Sequence, residues 1–444
     1  RSRGLGDVYK RQSLGCAKNQ VDSEMIVGFM QQDKENILVD NPEDADLLMV
    51  NTCAFIESAR EEAINTILDL ASYKKRDSKL VVLGCLSQRY KDELIDELPE
   101  VDLFISIKDY DRIAELLNGL FNKTIFSSTS HLSHLRRTYK TPPYMRYIRI
   151  SDGCLNRCAF CAIPLIRGLL KSRTIEDIKS EVKQAVDEGV YEINLISQDT
   201  TKYGWDLYKK LALVDLLKEL VSIEGNFKIR LLYLYPDIVT DELIDFIKNN
   251  PKVMPYFDIP LQHSEDKILK LMKRRGMRDF LVELIAKIRK EIPNAIFRTT
   301  MIVGFPQETE EDVDSLIEFM KETKFDRLGA FTYSPEEGTL GATYDGQIAE
   351  DVKQERYNRV MEAQFYISLE QNRKQIGRIL DVMIEDYDDE SYMYTGRSYG
   401  FAPDDIDGAI YVAAKEELKP GDVCKVKILD ADSYTLTGEQ IEKN

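Results

Sequence analysis

Short apolar runs of strand length alternate with longer stretches of helical period along most of the chain. In the first third, residues 45–51 (ADLLMVN) and 80–83 (LVVL) read as buried strands, with helices over 57–73 and 88–98. That alternation predicts a doubly wound parallel sheet over residues 13–130. A further parallel strand is expected just before Cys16, although the residues there, GDVYK, lack the apolar run such a strand usually shows. Residues 1–12 (RSRGLGDVYKRQ) have no amphipathic period and break off abruptly at Ser13, so they are expected to be an artefact outside the fold.

A basic, turn-rich stretch over 131–144 separates this region from a second alternation running to residue 376. Its candidate strands are 147–151, 192–197, 228–233, 256–260, 296–303 and 327–333, with helical stretches such as 174–188, 213–221, 241–249 and 281–290 between them. Six such units predict an open (β/α)6 partial TIM barrel, with its site at the carboxyl ends of the strands. From 377 to 444 the pattern changes to short alternating segments, 381–384, 409–412 and 424–429, broken by Gly, Pro and Asp. These read as a small antiparallel β-barrel of the OB-like kind. The chain is therefore α/β in three domains joined by one linker.

Composition narrows the classes. The chain has 444 residues, 43% hydrophobic and 31% charged. No apolar run approaches membrane-spanning length and no secretory pattern opens it, so no membrane is expected as a partner and a cytoplasmic location is. Seven cysteines scattered over this length do not form a disulfide framework and suit metal ligation in a reducing compartment. The formal charge of −17 favours a basic partner, although acidic enzymes can still carry a local basic groove. Residues 377–440 hold 15 acidic against 6 basic side chains, a net −9, which argues against RNA because few cations are present to displace phosphate counterions.

The chemistry is carried by cysteines. Cys154, Cys158 and Cys161 are spaced CxxxCxxC, with Phe160 just before the last, on the segment leaving the first barrel strand. Three thiolates can hold three irons of a [4Fe–4S] cluster and leave the fourth open to a substrate. A structural zinc site is the alternative, but it wants four ligands and no Cys or His follows within the next hundred residues. Cys16, Cys53 and Cys85 each follow an actual or expected strand and precede a helix, so right-handed crossovers place all three on one sheet edge, where a second cluster is expected. Simple core filling is the bland alternative for them and the natural reading of Cys424. His131 and His134 could be metal ligands but in a linker read more simply as solvated side chains, His263 reads as a structural histidine, and the charged run 270–278 reads as a solvated helix end, although it could also grip an acidic or nucleic-acid group.

The CxxxCxxC run is similar to that of the radical S-adenosylmethionine (SAM) enzymes, and the three regions together resemble the methylthiotransferase family from Ser13 onward. The matching runs are 13–24 (SLGCAKNQVDSE), 51–59 (NTCAFIESA), 258–263 (DIPLQH) and 331–339 (FTYSPEEGT), and the terminal barrel resembles that family's TRAM domain. Within the family, LGCAKN and 397–407 (RSYGFAPDDID) resemble the RimO-like branch, which modifies small-subunit ribosomal protein S-twelve. Two departures stand out: Leu155 where relatives commonly place Asn, and Gln307 where they usually have Gly.

The resemblance implies that Cys154, Cys158 and Cys161 hold the cluster that cleaves SAM, and that the resulting radical takes hydrogen from the β-carbon of a substrate aspartate. Cys16, Cys53 and Cys85 would hold a second [4Fe–4S] cluster that presents a methylated sulfur, a second SAM supplying the methyl group. The positions just past the barrel strands, Gln198, Asp199, Gln262, Val303 and Gly304, together with Phe160, would contact SAM, with Gly304 allowing close backbone approach to the adenine. The acidic terminal barrel would dock the basic ribosomal protein, and an electron donor and a sulfur source are implied. No catalytic residue beyond the cluster ligands is singled out. Two other readings stay open: methylthiolation of a tRNA adenosine, as in the MiaB-like branch, and a non-catalytic iron–sulfur electron carrier, which would want fully ligated clusters.

Overall fold

The computed structural model describes residues 6–10, 15–32, 36–123, 125–127, 132–404 and 406–443. The first domain is a five-stranded parallel sheet in the order β2-β1-β3-β4-β5, with β1 Gly6–Lys10, β2 Asn36–Val39, β3 Leu47–Thr52, β4 Lys79–Gly84 and β5 Leu103–Ser106. Helices α1 Ala17–Met30, α2 Glu57–Ser72, α3 Cys85–Glu97 and α4 Ile113–Leu120 cover it. The strand expected before Cys16 is β1, so the segment set aside as lying outside the fold supplies an interior strand. It pairs with both neighbours, Gly6 opposite Asn36 and Val8 opposite Leu47. Two ladders of backbone bonds hold a strand that its side-chain composition did not announce.

The central domain is an open arc of parallel strands. β6 Met145–Arg149, β9 Glu192–Ile196 and β10 Lys228–Leu231 form one group, and β11 Tyr256–Asp258, β12 Ile296–Val303 and β13 Arg327–Thr332 the other. Backbone bonds from Met254 N to Ile229 O (2.8 Å) and from Leu234 N to Asp258 O (2.8 Å) join them. A two-residue hairpin, β7 Ser151–Asp152 with β8 Lys171–Ser172, brackets the cysteine loop. The core lies between strands and outer helices and includes Ile193, Leu195, Phe257, Phe297 and Met301.

The last domain is a closed barrel, β14-β15-β16-β18-β17, made of Ile379–Asp388, Met393–Arg397, Ala409–Ala413, Thr435–Lys443 (β18) and Val423–Ala431 (β17). It is not purely antiparallel, because β16 and β18 run parallel. A closed ring of five strands cannot alternate direction all the way round, so one like-directed pair is unavoidable. Cys424 lies fully buried in this barrel's core, as expected.

Polar contacts weld the three domains together. Helix α1 is wedged between the sheet and the open barrel, and it buries Lys18, Asn19, Asp22, Ser23 and Glu24 beside Val21 and Met25. The linker is part of the weld: Arg137 sits buried between Glu24 (2.5 Å) and Glu181 (2.6 Å). His134 is accordingly not a solvated side chain. Its Nδ1 is buried without a partner, and burial, together with Arg173, Arg149 and Arg137, holds its pKa far below the usual histidine range. His131 lies outside the described residues. From the terminal barrel, the loop after β15 reaches into the central one, where Asp404 meets Tyr147, Asp407 meets Tyr256 and Arg298, and Arg230 Nη1 donates to Tyr399 O (2.8 Å).

Candidate functional site

The CxxxCxxC loop leaves the carboxyl side of β6 through the β7 strand. Gly153, at φ +72°, sits where a Cβ would fall 2.2 Å from the carbonyl oxygen of Leu169, so the loop can pass only as glycine. Cys154 is buried, and Cys158 and Cys161 are half-buried. Burial raises the Cys154 thiol, and it pushes Cys161 up to about 12 with Cys158 adding to the shift. Thiols in this setting give up their protons when a metal supplies the counter-charge. Cys158 Sγ lies 3.8 Å from both Tyr235 Oη and Arg274 Nη1, and Arg274 stacks 3.9 Å over the Tyr235 ring.

The amino-terminal cysteines lie at the ends of neighbouring strands. β1, β3 and β4 are neighbours, and their carboxyl ends lead to Cys16 at the amino-terminal cap of α1, to Cys53, and to Cys85 as the first residue of α3. Asn19 ties the group: its Nδ2 donates to Thr52 O (3.1 Å), and its Oδ1 lies 3.5 Å from Cys85 Sγ. A Cβ on Gly15 would come 3.1 Å from Cys53 Sγ. Burial raises the Cys53 thiol and pushes Cys85 up to about 12, with Arg167 pulling both the other way. Among the described residues no three His, Cys, Asp or Glu side chains converge as a single metal ion requires. A multi-iron cluster binds each thiolate to a different metal atom, so both donor sets suit it better than a lone ion.

Two features link the two cysteine groups. Arg167, at the end of α5 Ile163–Arg167 in the CxxxCxxC segment, donates to Asn19 Oδ1 and Asp22 Oδ2 (2.7 Å each) and to Asp152 Oδ2 (3.1 Å). The segment after β10 then spans the gap: Tyr235 touches Cys158, and the ring of Tyr233 lies under the Lys18 ammonium at 3.2 Å. Burial lowers the Lys18 pKa, and nearby Cys16 opposes that shift. At the side, Arg60 and Arg89 of the first domain clasp the buried Glu336 of the barrel, Arg89 at 2.8 Å.

The positions expected to contact SAM are placed unequally. Gln198 Nε2 donates to Asp152 (2.9 Å) and leaves its Oε1 buried and unpartnered. Asp199 accepts from Asn156 Nδ2 (2.6 Å), whose Oδ1 takes the Lys202 ammonium, so one face of the first cysteine loop is pinned to the end of β9. Gln262 holds φ +78° and bridges to β12 through Thr300 O (2.8 Å) and Ile302 N (2.7 Å). Phe160 packs beside Ile302 in an apolar cluster with Phe305 and Tyr333. Val303 points the other way, into the core under the helices, so its side chain does not share the face of the strand that carries Thr300 and Ile302. At Gly304 a Cβ would meet Lys353 Cγ at 2.3 Å, so the neighbouring helix already demands a glycine there. His263 is structural: Nδ1 accepts from Glu265 N (3.0 Å), and Nε2 lies 3.3 Å from Glu308.

Gln307 stands at the surface. It is exposed and lies against Gly346 at φ +67°, a region that glycine enters without strain. Gln307→Gly is therefore expected to raise stability, or at worst leave it unchanged, by up to about 1 kcal/mol, offset by the greater freedom of glycine in the unfolded chain. A thermal melt checks this, and a clear drop would contradict the conformational account.

Comparison with known proteins agrees in every region. Residues 148–320 match the radical SAM superfamily, 9–106 the uncharacterized protein family UPF0004, and 376–441 the TRAM domain. The ribosomal protein uS12 methylthiotransferase RimO of Carboxydothermus hydrogenoformans is 47% identical over 432 residues, 97% of this chain and 98% of that one. The RimO of Desulforamulus reducens is 48% identical over 436 residues, 96% and 98% of the two chains. The chain belongs to the RimO family of methylthiotransferases. Among solved structures, the radical SAM methyltransferase TsrM of Kitasatospora setae, with cobalamin and a [4Fe-4S] cluster bound, shares the fold at a TM-score of 0.56 and 13% identity, covering 77% of this chain and 74% of that one.

Membership brings iron–sulfur chemistry and SAM with it. The amino-terminal match begins at residue 9, inside β1. Among the described residues no helix is long and apolar enough to cross a membrane. Sequence reading missed Arg167, Lys18, Asn156 and Lys202, charged or polar side chains on helix termini and loops that meet only in the folded chain, and Arg274, within the run read as a solvated helix end, is instead buried against Tyr235 and Cys158. For Lys18 and Asn19 a signal existed: polar residues fill the buried first turns of α1, where an ordinary amphipathic helix would show one polar face.

Proposed function

We propose that this RimO-family chain is a radical SAM methylthiotransferase that adds a methylthio group to the β-carbon of an aspartate in small-subunit ribosomal protein S-twelve. The observation that carries the reading is that Arg167 and the Tyr233–Tyr235 segment link the surroundings of the two cysteine groups, through Asn19, Lys18 and Cys158. Cys154, Cys158 and Cys161 would hold one [4Fe–4S] cluster and Cys16, Cys53 and Cys85 a second. With SAM, the clusters supply the radical and sulfur chemistry that no ordinary side chain can perform at an unactivated carbon.

The protein's own part is placement. Tyr235 and Arg274 sit on the sulfur of Cys158, where polar contacts to a ligating sulfur tune its centre. Gln198, Asp199, Gln262 and the backbone at Val303 and Gly304 border the space where SAM would lie, with Phe160 and Ile302 as its apolar side. Welded domains fix the separation of the two groups, which a transfer between them requires. Exposed Asp386, Asp389 and Glu390 at the β14–β15 turn belong to the acidic face that would meet the basic ribosomal protein. An external electron donor and a sulfur source complete the requirement, and tRNA is not expected as a substrate.

Anaerobic reconstitution with iron and sulfide, followed by mass spectrometry, tests the reading. A gain of one methylthio group on S-twelve supports it. Modification of tRNA with S-twelve untouched would overturn it.

A further inference from the structure

Glu336 lies in the loop that follows β13, and its side chain is buried although it is charged. Both oxygens are taken: Oε2 accepts from Arg60 and from Arg89 Nη1 (2.8 Å), and Oε1 accepts from Ser334 Oγ (2.7 Å). The two guanidiniums belong to the first domain and stand close behind its cysteines. Arg60 is on the first turn of α2, the helix that follows Cys53, and Arg89 is on α3, one turn past Cys85. Arg89 does more than pair charges. Its Nη1 also donates to the carbonyl of Ala54 (3.1 Å), the residue after Cys53, and its Nη2 to Glu337 O (2.7 Å). One planar group therefore ties the backbone beside a first-domain cysteine to the backbone of the barrel loop, a geometry that a forked guanidinium holds and a point charge does not.

The loop is braced and reaches the other cysteine group. Thr339 donates to Glu336 O from both N (3.1 Å) and Oγ1 (2.6 Å), and Lys353 Nζ donates to Tyr333 O (2.8 Å). Farther along, Gly341 N donates to the carbonyl of Ala159 (2.6 Å), next to Cys158. A Cβ at Gly341 would fall 2.6 Å from Tyr333 Oη and 3.0 Å from Ala159 O, so only glycine lets the loop come this close to the CxxxCxxC segment. A path of bonds thus runs from Cys53 through Arg89 and the Glu336 loop to Cys158. The polar ties described above, at Asn19, Asp22 and Glu24, all act on α1. Ala162 and Ile166 also pack into the first domain's core, but apolar burial is non-directional. Glu336 adds a directional tie at α2 and α3, away from α1.

We propose that Glu336 is a positioning residue, which holds the Cys53 and Cys85 loops in register with the CxxxCxxC loop and so couples methylthiolation to SAM cleavage. This rests on the function proposed above and names the contact that sets the relative placement. SAM cleavage needs the barrel's cysteines alone, whereas transfer needs both groups aligned, and small misplacement of reacting groups costs rate steeply.

The test compares reconstituted full-length wild type with Glu336→Gln, which keeps the shape and removes the charge, and with Arg89→Lys, which keeps the charge and removes the fork. Both variants are expected to retain their iron and to go on forming 5′-deoxyadenosine, while the deoxyadenosine released per methylthio group on S-twelve rises about 10-fold. Independently of turnover, hydrogen exchange should quicken at residues 54–57 and 333–341 and stay unchanged in α1. If Glu336→Gln fails to fold, Arg89→Lys carries the same readings. A folded variant with faster exchange and an unchanged ratio overturns the positioning role, as does an equal loss of cleavage and methylthiolation, and in both cases the function still stands. A wild type that forms deoxyadenosine but never methylthiolates S-twelve overturns the function itself.

Discussion

Cys158→Ala is expected to abolish 5′-deoxyadenosine formation and methylthiolation together, whereas Cys53→Ala abolishes methylthiolation and leaves SAM cleavage measurable. The difference comes from where the thiols sit. Cys158 lies in the barrel loop beside Tyr235 and Arg274, on the side where Gln198, Asp199 and Gln262 gather. Cys53 lies in the first domain with Cys16, Cys85 and Asn19. Each variant should lose about four of the roughly eight irons of a fully loaded protein, because a cluster held by three thiolates does not survive on two. Iron and sulfide counts, deoxyadenosine by chromatography and the substrate's mass read the three consequences separately. If Cys53→Ala kept methylthiolation, the amino-terminal cysteines would be core packing, the plainer reading of them. If Cys158→Ala kept its iron, the CxxxCxxC loop would not be the ligand set.

The parts of the fold visible in the sequence are those with a strong local period. The apolar runs at β3 and β4, the helices between them and the six barrel strands all announce themselves, and the chain positions of the two cysteine groups can be read from strand ends alone. β1 escapes such a reading because Gly6–Lys10 is specified by its two neighbours through backbone pairing, not by its own hydrophobicity. His134 misleads for a related reason: the linker around it looks polar and turn-rich, yet Arg137 within it is the counter-charge for two buried glutamates. Val303 shows the limit of reading from strand ends. It stands at the carboxyl end of β12, but the alternation along that strand sends its side chain to the helices and leaves Thr300 and Ile302 on the opposite face.

Arg167→Met is expected to destabilise the protein by about 1–3 kcal/mol, because losing the buried guanidinium leaves Asn19 Oδ1 and Asp22 Oδ2 without that donor, while Arg149 remains as a counter-charge for Asp22 and Asp152. Its second consequence is more specific. The positive charge of Arg167 opposes the rise that burial imposes on Cys85 and Cys53. Remove it and both thiols hold their protons more tightly, so their pKa values go up. Iron binding must displace those protons, so on acidification protons win back the amino-terminal thiols at a higher pH in the variant than in the wild type. The CxxxCxxC thiols should change less, because burial and their own neighbours, Asn156 and Cys158 among them, set the shifts of Cys154 and Cys161. The measurement is iron retained after brief anaerobic exposure across a pH series, with Cys53→Ala as the background that isolates the barrel cluster. Arg167→Lys, which keeps a charge but not the forked geometry, should restore most of the pH profile and less of the stability. An unchanged profile in a folded Arg167→Met would mean that the guanidinium acts only as a structural tie between α1 and the barrel.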